Sequence, residues 1–191
     1  MASRRRVGSE TSETRQALLD SVERLMINKG YAGVTYRSVA SQAGVTPGLV
    51  QYYFPTLDDL FVAAIRRRSE QNLARLQESL DRDDDPLRVL WEYSNNEATA
   101  ALTTEFMALG NHRKSIRSEI AEVTRRVRDI QFEVLGGLSD DGTVQLRLSR
   151  EAFLFLVNGI PKLVQLEEGV GIDAGHAEII AAVEQHLASA R

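Results

Sequence analysis

The chain has no cysteine, which excludes disulfides and thiolate metal sites. Histidine is scarce as well. Of the three, His176 and His186 stand ten apart, not at the i, i+4 spacing of a metal-binding helix, and His112 is remote from both. No apolar run approaches the roughly 18 residues that cross a bilayer. The N-terminus, MASRRRVGSETSE, is basic but has no apolar stretch after it, so it does not read as a secretory signal. No Gly-rich phosphate loop, nucleophile elbow or HExxH pattern occurs. The expectation is a soluble cytoplasmic protein with no membrane partner, no catalytic residue, no metal site and no cofactor.

What is present is a chain of 191 residues, 43% hydrophobic, long enough for one large or two small domains with a real core. Its net charge of −4 speaks against nucleic acid, but the distribution matters more. Residues 1–68 hold ten Lys/Arg against six Asp/Glu, a balance of +4, which leaves −8 on the remaining 123. A basic head on an acidic body is the arrangement of a DNA reader whose remainder does something else.

Nearly every long segment carries helical periodicity, so the fold class is all-α; only Thr143–Leu148 has strand character. A first helix spans about Thr11 to Lys29, with Leu18, Val22, Leu25 and Met26 inward and Gly30 as its stop. Short helices follow between Thr35 and Phe54. Thr56-Leu57-Asp58-Asp59 is a capping box that opens a long helix with Leu60, Phe61, Ala64 and Ile65 inward, continuing through Leu73, Leu76 and Leu80. Asp83-Asp84-Asp85 reads as a solvated linker, with Asp85-Pro86 starting the next helix, whose apolar face is Leu87, Leu90 and Trp91. Further helices are expected at about Thr103–Asn111, Ser115–Leu135, Ser149–Glu168 and Asp173–Ala188. Gly136-Gly137 and Ser139–Gly142 read as a loop, Pro161 predicts a kink near Asn158-Gly159, and Glu167-Glu168 reads as a polar helix end.

The stretch TYRSVASQAGVTPGLVQYYFPTLDDL is the strongest signal. A helix-turn-helix needs apolar residues where two helices pack, a small residue at their crossing and a tight turn. Val39 and Ala43 point inward from the first helix, Ala40 sits at the crossing, Gly44 makes the turn, Val45 plugs it, and Val50 and Tyr53 face inward from the second. Thr35 caps the first helix; Thr46 caps the second, with Pro47 in its first turn. On the outer surface, Gln51 suits adenine N6 and N7, Leu49 a thymine methyl, and Arg37 a phosphate or guanine. Arg4, Arg5 and Arg6 form a basic arm, either entering the minor groove or adding affinity without reading sequence.

Those residues resemble the TetR family of transcriptional regulators: Gly30-Tyr31, Thr35, Ala40, Ala43-Gly44-Val45, Thr46, Gly48, and Phe54-Pro55 through Leu60. The resemblance covers about residues 13–65. It implies a homodimer with an N-terminal three-helix DNA-binding domain, residues 1–55, and a helical ligand-binding and dimerisation domain, residues 56–191. A small-molecule effector would separate the two heads and release a double-stranded DNA operator, which makes repression the expected mode. Its contact positions fall on Thr35, Tyr36, Arg37, Thr46, Pro47, Gly48, Leu49, Gln51, Tyr52 and Tyr53. Two positions depart from the family pattern: Gln51 stands where an aromatic is frequent, and Leu57 where a lysine holds a phosphate. Backbone anchoring then falls to Arg37, Tyr52, Tyr53 and the arm.

In the body, two apolar stripes, with Phe153, Leu156, Ile160 and Leu163 on one helix and Ile179, Val183 and Leu187 on the last, are the expected dimer bundle, set against a purely intramolecular core. Trp91, Phe106, Met107, Asn111, His112, Phe132 and Asn158 are the expected ligand-pocket set. The competing functions are a sequence-independent DNA-coating protein and an all-α enzyme.

Overall fold

The computed structural model describes residues 13–83, 85–140 and 149–189. The Arg4–Arg6 arm, Asp84 and the Thr143–Leu148 stretch lie outside the described residues. Along the chain run α1 (Glu13–Lys29), a 3-10 turn (Tyr31–Gly33), α2 (Tyr36–Ala43), α3 (Pro47–Tyr53), α4 (Leu57–Arg82), α5 (Pro86–Ser94), α6 (Glu97–His112), α7 (Lys114–Asp140), α8 (Arg150–Glu168) and α9 (His176–Ser189). No strand occurs among the described residues, and none of their helices is long and apolar enough to cross a membrane.

Two compact units result. One comprises Met1–Glu70 and Leu102–Glu122, the other Gln71–Ala101 and Val123–Arg191. In the first, Leu18, Val22 and Met26 of α1 are fully buried with Val39 of α2, Val50 of α3 and Leu60 and Ala64 of α4. Each such aliphatic contributes about 1.5–3 kcal/mol on leaving water, so this small unit has an adequate core. Polar ties fix its register. Arg67 on α4 reaches Gln16 O at 3.1 Å, Glu23 Oε1 at 2.6 Å and Asp20 Oδ1 at 2.7 Å, pinning α4 to α1. Arg66 grips Glu119 of α7 with two bonds, 2.9 and 2.8 Å, and the Tyr31 amide donates to Glu105 of α6 at 2.7 Å.

The second unit is built around Leu76, Leu90, Trp91, Leu135, Leu154 and Val157. Inside it Asn158 and Gln131 exchange two amide bonds, at 3.0 and 3.2 Å, and Ser94 donates to Asn158 Oδ1 at 3.0 Å. Gln131 is completely buried, so these bonds offset the cost of taking its amide out of water.

The capping chemistry set by sequence is realised at most of the junctions. Thr56 and Asp59 bond reciprocally, with the Asp59 amide donating to Thr56 Oγ1 at 3.0 Å and the Thr56 amide to Asp59 Oδ2 at 3.0 Å. Asp85 accepts from the Arg88 amide ahead of α5, and Ser149 from the Ala152 amide ahead of α8. The triple-Asp break is therefore not simply solvated: Asp83 pairs with Arg88 while Asp85 caps.

Three boundaries differ from expectation. α6 begins at Glu97, not about Thr103. α7 runs straight through Gly136-Gly137 to Asp140, where a loop was expected. Leu135, with no exposed surface, anchors the preceding turn in the core, and packing of that kind outweighs the helix penalty of a glycine, about 1 kcal/mol. At Gly136 a Cβ would stand 3.2 Å from the Arg150 guanidinium, so the glycine admits a close neighbour rather than ending the helix. α9 begins at His176, not Asp173, because Gly175 has φ 85° and breaks any helix started earlier. α8 runs as one helix across Pro161, over the span expected. Glu167, expected as a plain polar end, lies 2.7 Å from Nε2 of the buried His176.

Candidate nucleic-acid interface

The site is assembled by helix ends. α1 stops where the Gly30 amide bonds Met26 O at 2.9 Å. Thr35 then opens α2 with a reciprocal cap: the Ser38 amide donates to Thr35 Oγ1 at 3.1 Å and the Thr35 amide to Ser38 Oγ at 2.8 Å. Val39 and Ala40 turn inward, 0% and 1% exposed, which leaves Arg37 on the open side. Gly44 has φ 68° and ψ 32°, the left-handed conformation that a side chain disfavours, and it redirects the chain within one residue. Val45 follows partly buried, its amide bonded to Ala40 O at 2.9 Å.

Thr46 occupies the cap position of α3, but its hydroxyl makes no capping bond, contrary to expectation. The reason is local. The Leu49 amide, which a cap would use, bonds the Thr46 carbonyl at 3.0 Å instead. The hydroxyl is left at an exposed helix N-terminus.

α3 buries only Val50 completely; Pro47, Gly48, Gln51 and Tyr52 are exposed and Leu49 half-buried. Tyr53 is half-buried between aromatic neighbours, 5.4 Å centroid to centroid from Tyr52 and 6.5 Å from Phe54. The structure thus brings Arg37, Thr46, Pro47, Gly48, Leu49, Gln51 and Tyr52 to one small motif with open faces. Thr35 and Tyr36 have other work: Thr35 caps, and the Tyr36 hydroxyl donates to the carbonyls of Phe54 and Pro55 at 3.0 and 2.9 Å. Burial, and secondarily the Asp59 carboxylate, hold that hydroxyl above the usual tyrosine range, so it stays a neutral donor.

Electrostatics beside the motif favour an anion. Arg37 has no ion-pair partner among the described residues. The two carboxylates that follow α3 are both engaged: Asp59 in the α4 cap, and Asp58 with Ser115 and Arg113. The Ser115 hydrogen bond first, and the Arg113 bond next, hold the Asp58 carboxyl below the ordinary carboxylate range.

The expected pocket residues are divided between the units. Phe106 is buried, while Met107, Asn111 and His112 are exposed, all in the unit that contains α1–α3. Trp91 and Phe132 pack in the core of the other unit, where Asn158 is held by Gln131 and Ser94. Of the expected dimer residues, Leu156, Leu163 and Ile179 are exposed at 44%, 58% and 41%. Phe153 and Leu187 are instead buried in their own subunit's core, because the inner side of α8 and α9 needs them there, and Ile160 and Val183 pack against that core. Phe155 and Leu166, outside the expected dimer set, are also exposed on α8. A helix apolar nearly all round hides which side is covered.

Residues 18–64 match the family model for bacterial regulatory proteins, tetR family. The chain is 30% identical over 137 residues to the HTH-type transcriptional repressor BepR of Brucella suis biovar 1 (strain 1330), covering 69% of this chain and 65% of the relative. It is 30% identical over 135 residues to the HTH-type transcriptional regulator AcrR of Shigella flexneri, covering 68% and 62%. The matched region therefore spans just under two thirds of these relatives. Among solved structures, a putative transcriptional regulator from Saccharomonospora viridis in complex with choline superposes with TM-score 0.79 at 18% identity, covering 94% of this chain and 95% of that one. The transcriptional regulator FadR from Bacillus subtilis in complex with stearoyl-CoA gives 0.72 at 16%, covering 92% and 98%.

Proposed function

Because this chain belongs to the tetR family of bacterial regulatory proteins, we propose that it is a sequence-specific DNA-binding transcriptional regulator, a repressor that leaves a palindromic operator when a small molecule binds. The observation that carries the reading is the α2–Gly44–α3 motif, closed by its own core and presenting Arg37, Thr46, Leu49, Gln51 and Tyr52 on its open faces. In this reading residues 1–55 read DNA and residues 56–191 bind the effector and dimerise.

The chemistry of the open face supports base reading. Gln51 offers both a donor and an acceptor, the pattern that adenine presents in the major groove, and Leu49 offers an apolar edge for thymine. Thr46, Pro47 and Gly48 surround the N-terminus of α3, where a phosphate oxygen meets the positive end of the helix. Arg37 adds a guanidinium with no ion-pair partner among the described residues. A motif of this size reads only a few base pairs, so useful specificity needs a second copy.

The outer side of α8 supports that second copy. Phe155, Leu156, Leu163 and Leu166 are 69%, 44%, 58% and 53% exposed, a continuous apolar face at helical spacing, and Ile179 of α9 is 41% exposed. Two-fold pairing of this face with itself buries it. The ligand-bound structures of the Saccharomonospora viridis and Bacillus subtilis proteins support an effector of some kind.

The test is selection of bound duplexes from a randomised pool. The reading predicts enrichment of one inverted repeat with half-sites related by a two-fold axis. A bound pool that stays as random as the input overturns it.

A further inference from the structure

Residues 112–117 read HRKSIR, a basic run in the acidic part of the chain. They form the turn from α6 into α7 and belong to the same compact unit as α1–α3. Arg113 and Ser115 both bond the Asp58 carboxylate in the first turn of α4. Arg66 of α4 holds Glu119, one turn further along α7. Asp58 is the third residue after Pro55, at most about 11 Å along the chain. Pro55 and Phe54 are in turn held by the hydroxyl of Tyr36, the neighbour of Arg37. A bonded path therefore seats the α6–α7 turn beside the helix-turn-helix.

The cations of this turn are not equally free. Arg113 is committed to Asp58. Arg117 bends back to α6 and donates to the carbonyls of Gly110 and Asn111 at 3.1 and 2.9 Å, so its charge meets no carboxylate there. Lys114 is exposed and has no ion-pair partner among the described residues. It is the first residue of α7, whose first turn holds no acid. A cation at that end opposes the helix dipole, so helix stability does not account for it. The carboxylates on the facing turns are engaged: Asp58 with Arg113, Asp59 in the α4 cap and Glu119 with Arg66.

From this we infer that Lys114 is a further DNA contact, an ammonium that meets a backbone phosphate beside the reading motif, with Arg117 adding to the positive potential of the turn. The occupant is the DNA backbone and not a free anion. The turn is tied to the motif, and a duplex lying on that motif extends past it with a phosphate at every step. Lysine is a point charge on a flexible four-carbon stem, suited to a phosphate and carrying no base information. A segment of the part expected only to bind effector and dimerise then also holds DNA. That the duplex is there at all rests on the regulator reading.

The experiment measures affinity of the full-length protein for the selected duplex and for a scrambled one over a range of salt. Lys114→Gln should reduce the slope of log affinity against log salt by about 0.9 for each subunit bound. The change should be equal on both duplexes, with the ratio of their affinities kept. Lys114→Arg should hold the wild-type slope. So should Arg82→Gln, which removes the same charge from the other unit. An unchanged slope in Lys114→Gln, an equal change in Arg82→Gln, or a change confined to one duplex overturns the contact. The two claims separate. A wild-type ratio near one with a shallower Lys114→Gln slope would sink the regulator reading and keep the contact. A large ratio with an unchanged slope would sink the contact and keep the regulator. Binding to neither duplex sinks both.

Discussion

The Tyr36 hydroxyl donates to the Phe54 carbonyl at 3.0 Å, joining the first residue of α2 to the residue just after α3. It donates to Pro55 O as well, at 2.9 Å. The two ends of the helix-turn-helix motif are thus closed by one side chain, which shares its hydrogen between neighbouring carbonyls. Tyr36→Phe should cost about 1 kcal/mol of stability, the net worth of one such bond. Measured on a panel of duplexes, its affinity should fall uniformly, with the order of preference among sequences kept. A change confined to one base position would mean that the hydroxyl reads DNA after all.

Thr46 gives the opposite expectation. Its hydroxyl makes no capping bond, so Thr46→Ala should leave thermal stability within about 0.5 kcal/mol of wild type, instead of the ~1 kcal/mol of a lost cap. DNA affinity should drop equally for all sequences, as loss of a phosphate contact requires. Stability loss comparable to a true cap would contradict the structure.

Gln51→Ala should cost about 1–3 kcal/mol at one base position and relax the preference there. Base-by-base substitution of the selected duplex makes this visible. A loss of equal size on every duplex would reassign Gln51 to the backbone.

Asp58 makes stability depend on acid pH. Its folded pKa lies below the ordinary 3.8, chiefly through the Ser115 hydrogen bond and then the Arg113 bond. A depressed carboxyl contributes stability that is complete above the unfolded value and lost as pH falls through the folded one. Asp58→Asn should therefore be less stable than wild type at neutral pH, with the gap closing below about pH 4. Unfolding by urea across pH 2.5 to 7 checks this. A gap that is constant with pH would show that the carboxylate charge is irrelevant.

On α8 two large apolar residues should behave differently. Leu163, 58% exposed, sits on the face proposed to meet a second copy, so Leu163→Lys should leave the fold intact but abolish dimers by sedimentation. Phe153, 7% exposed in the core, should cost about 3–5 kcal/mol when cut to alanine, whatever the oligomeric state. A Leu163→Lys variant that still dimerises would move the interface elsewhere.

Much of this was legible in the sequence because it rests on local chemistry. Gly44, Pro47, the Thr35 cap and the Thr56–Asp59 box act over four residues or fewer, and the structure shows each in place. The Thr46 hydroxyl makes no cap because the Leu49 amide bonds the Thr46 carbonyl instead, a detail of bonding rather than residue type. The α7 boundary was misread at Gly136 because long-range packing of Leu135 and Arg150 decides it. The ties from Glu105 to the Tyr31 amide and from Arg113 to Asp58 join residues 74 and 55 positions apart, a separation at which no periodicity gives warning. On α8 the residue types announce burial, but only the fold tells Phe153 from Phe155.

The central claim is that α2 and α3 read sequence rather than merely hold DNA. The most direct measurement is the ratio of affinities for the selected duplex and for a scrambled duplex of equal length at the same salt. The account predicts a ratio of about 10³ or more. A ratio near one would contradict it, and would make this chain a coat for DNA rather than a reader of it.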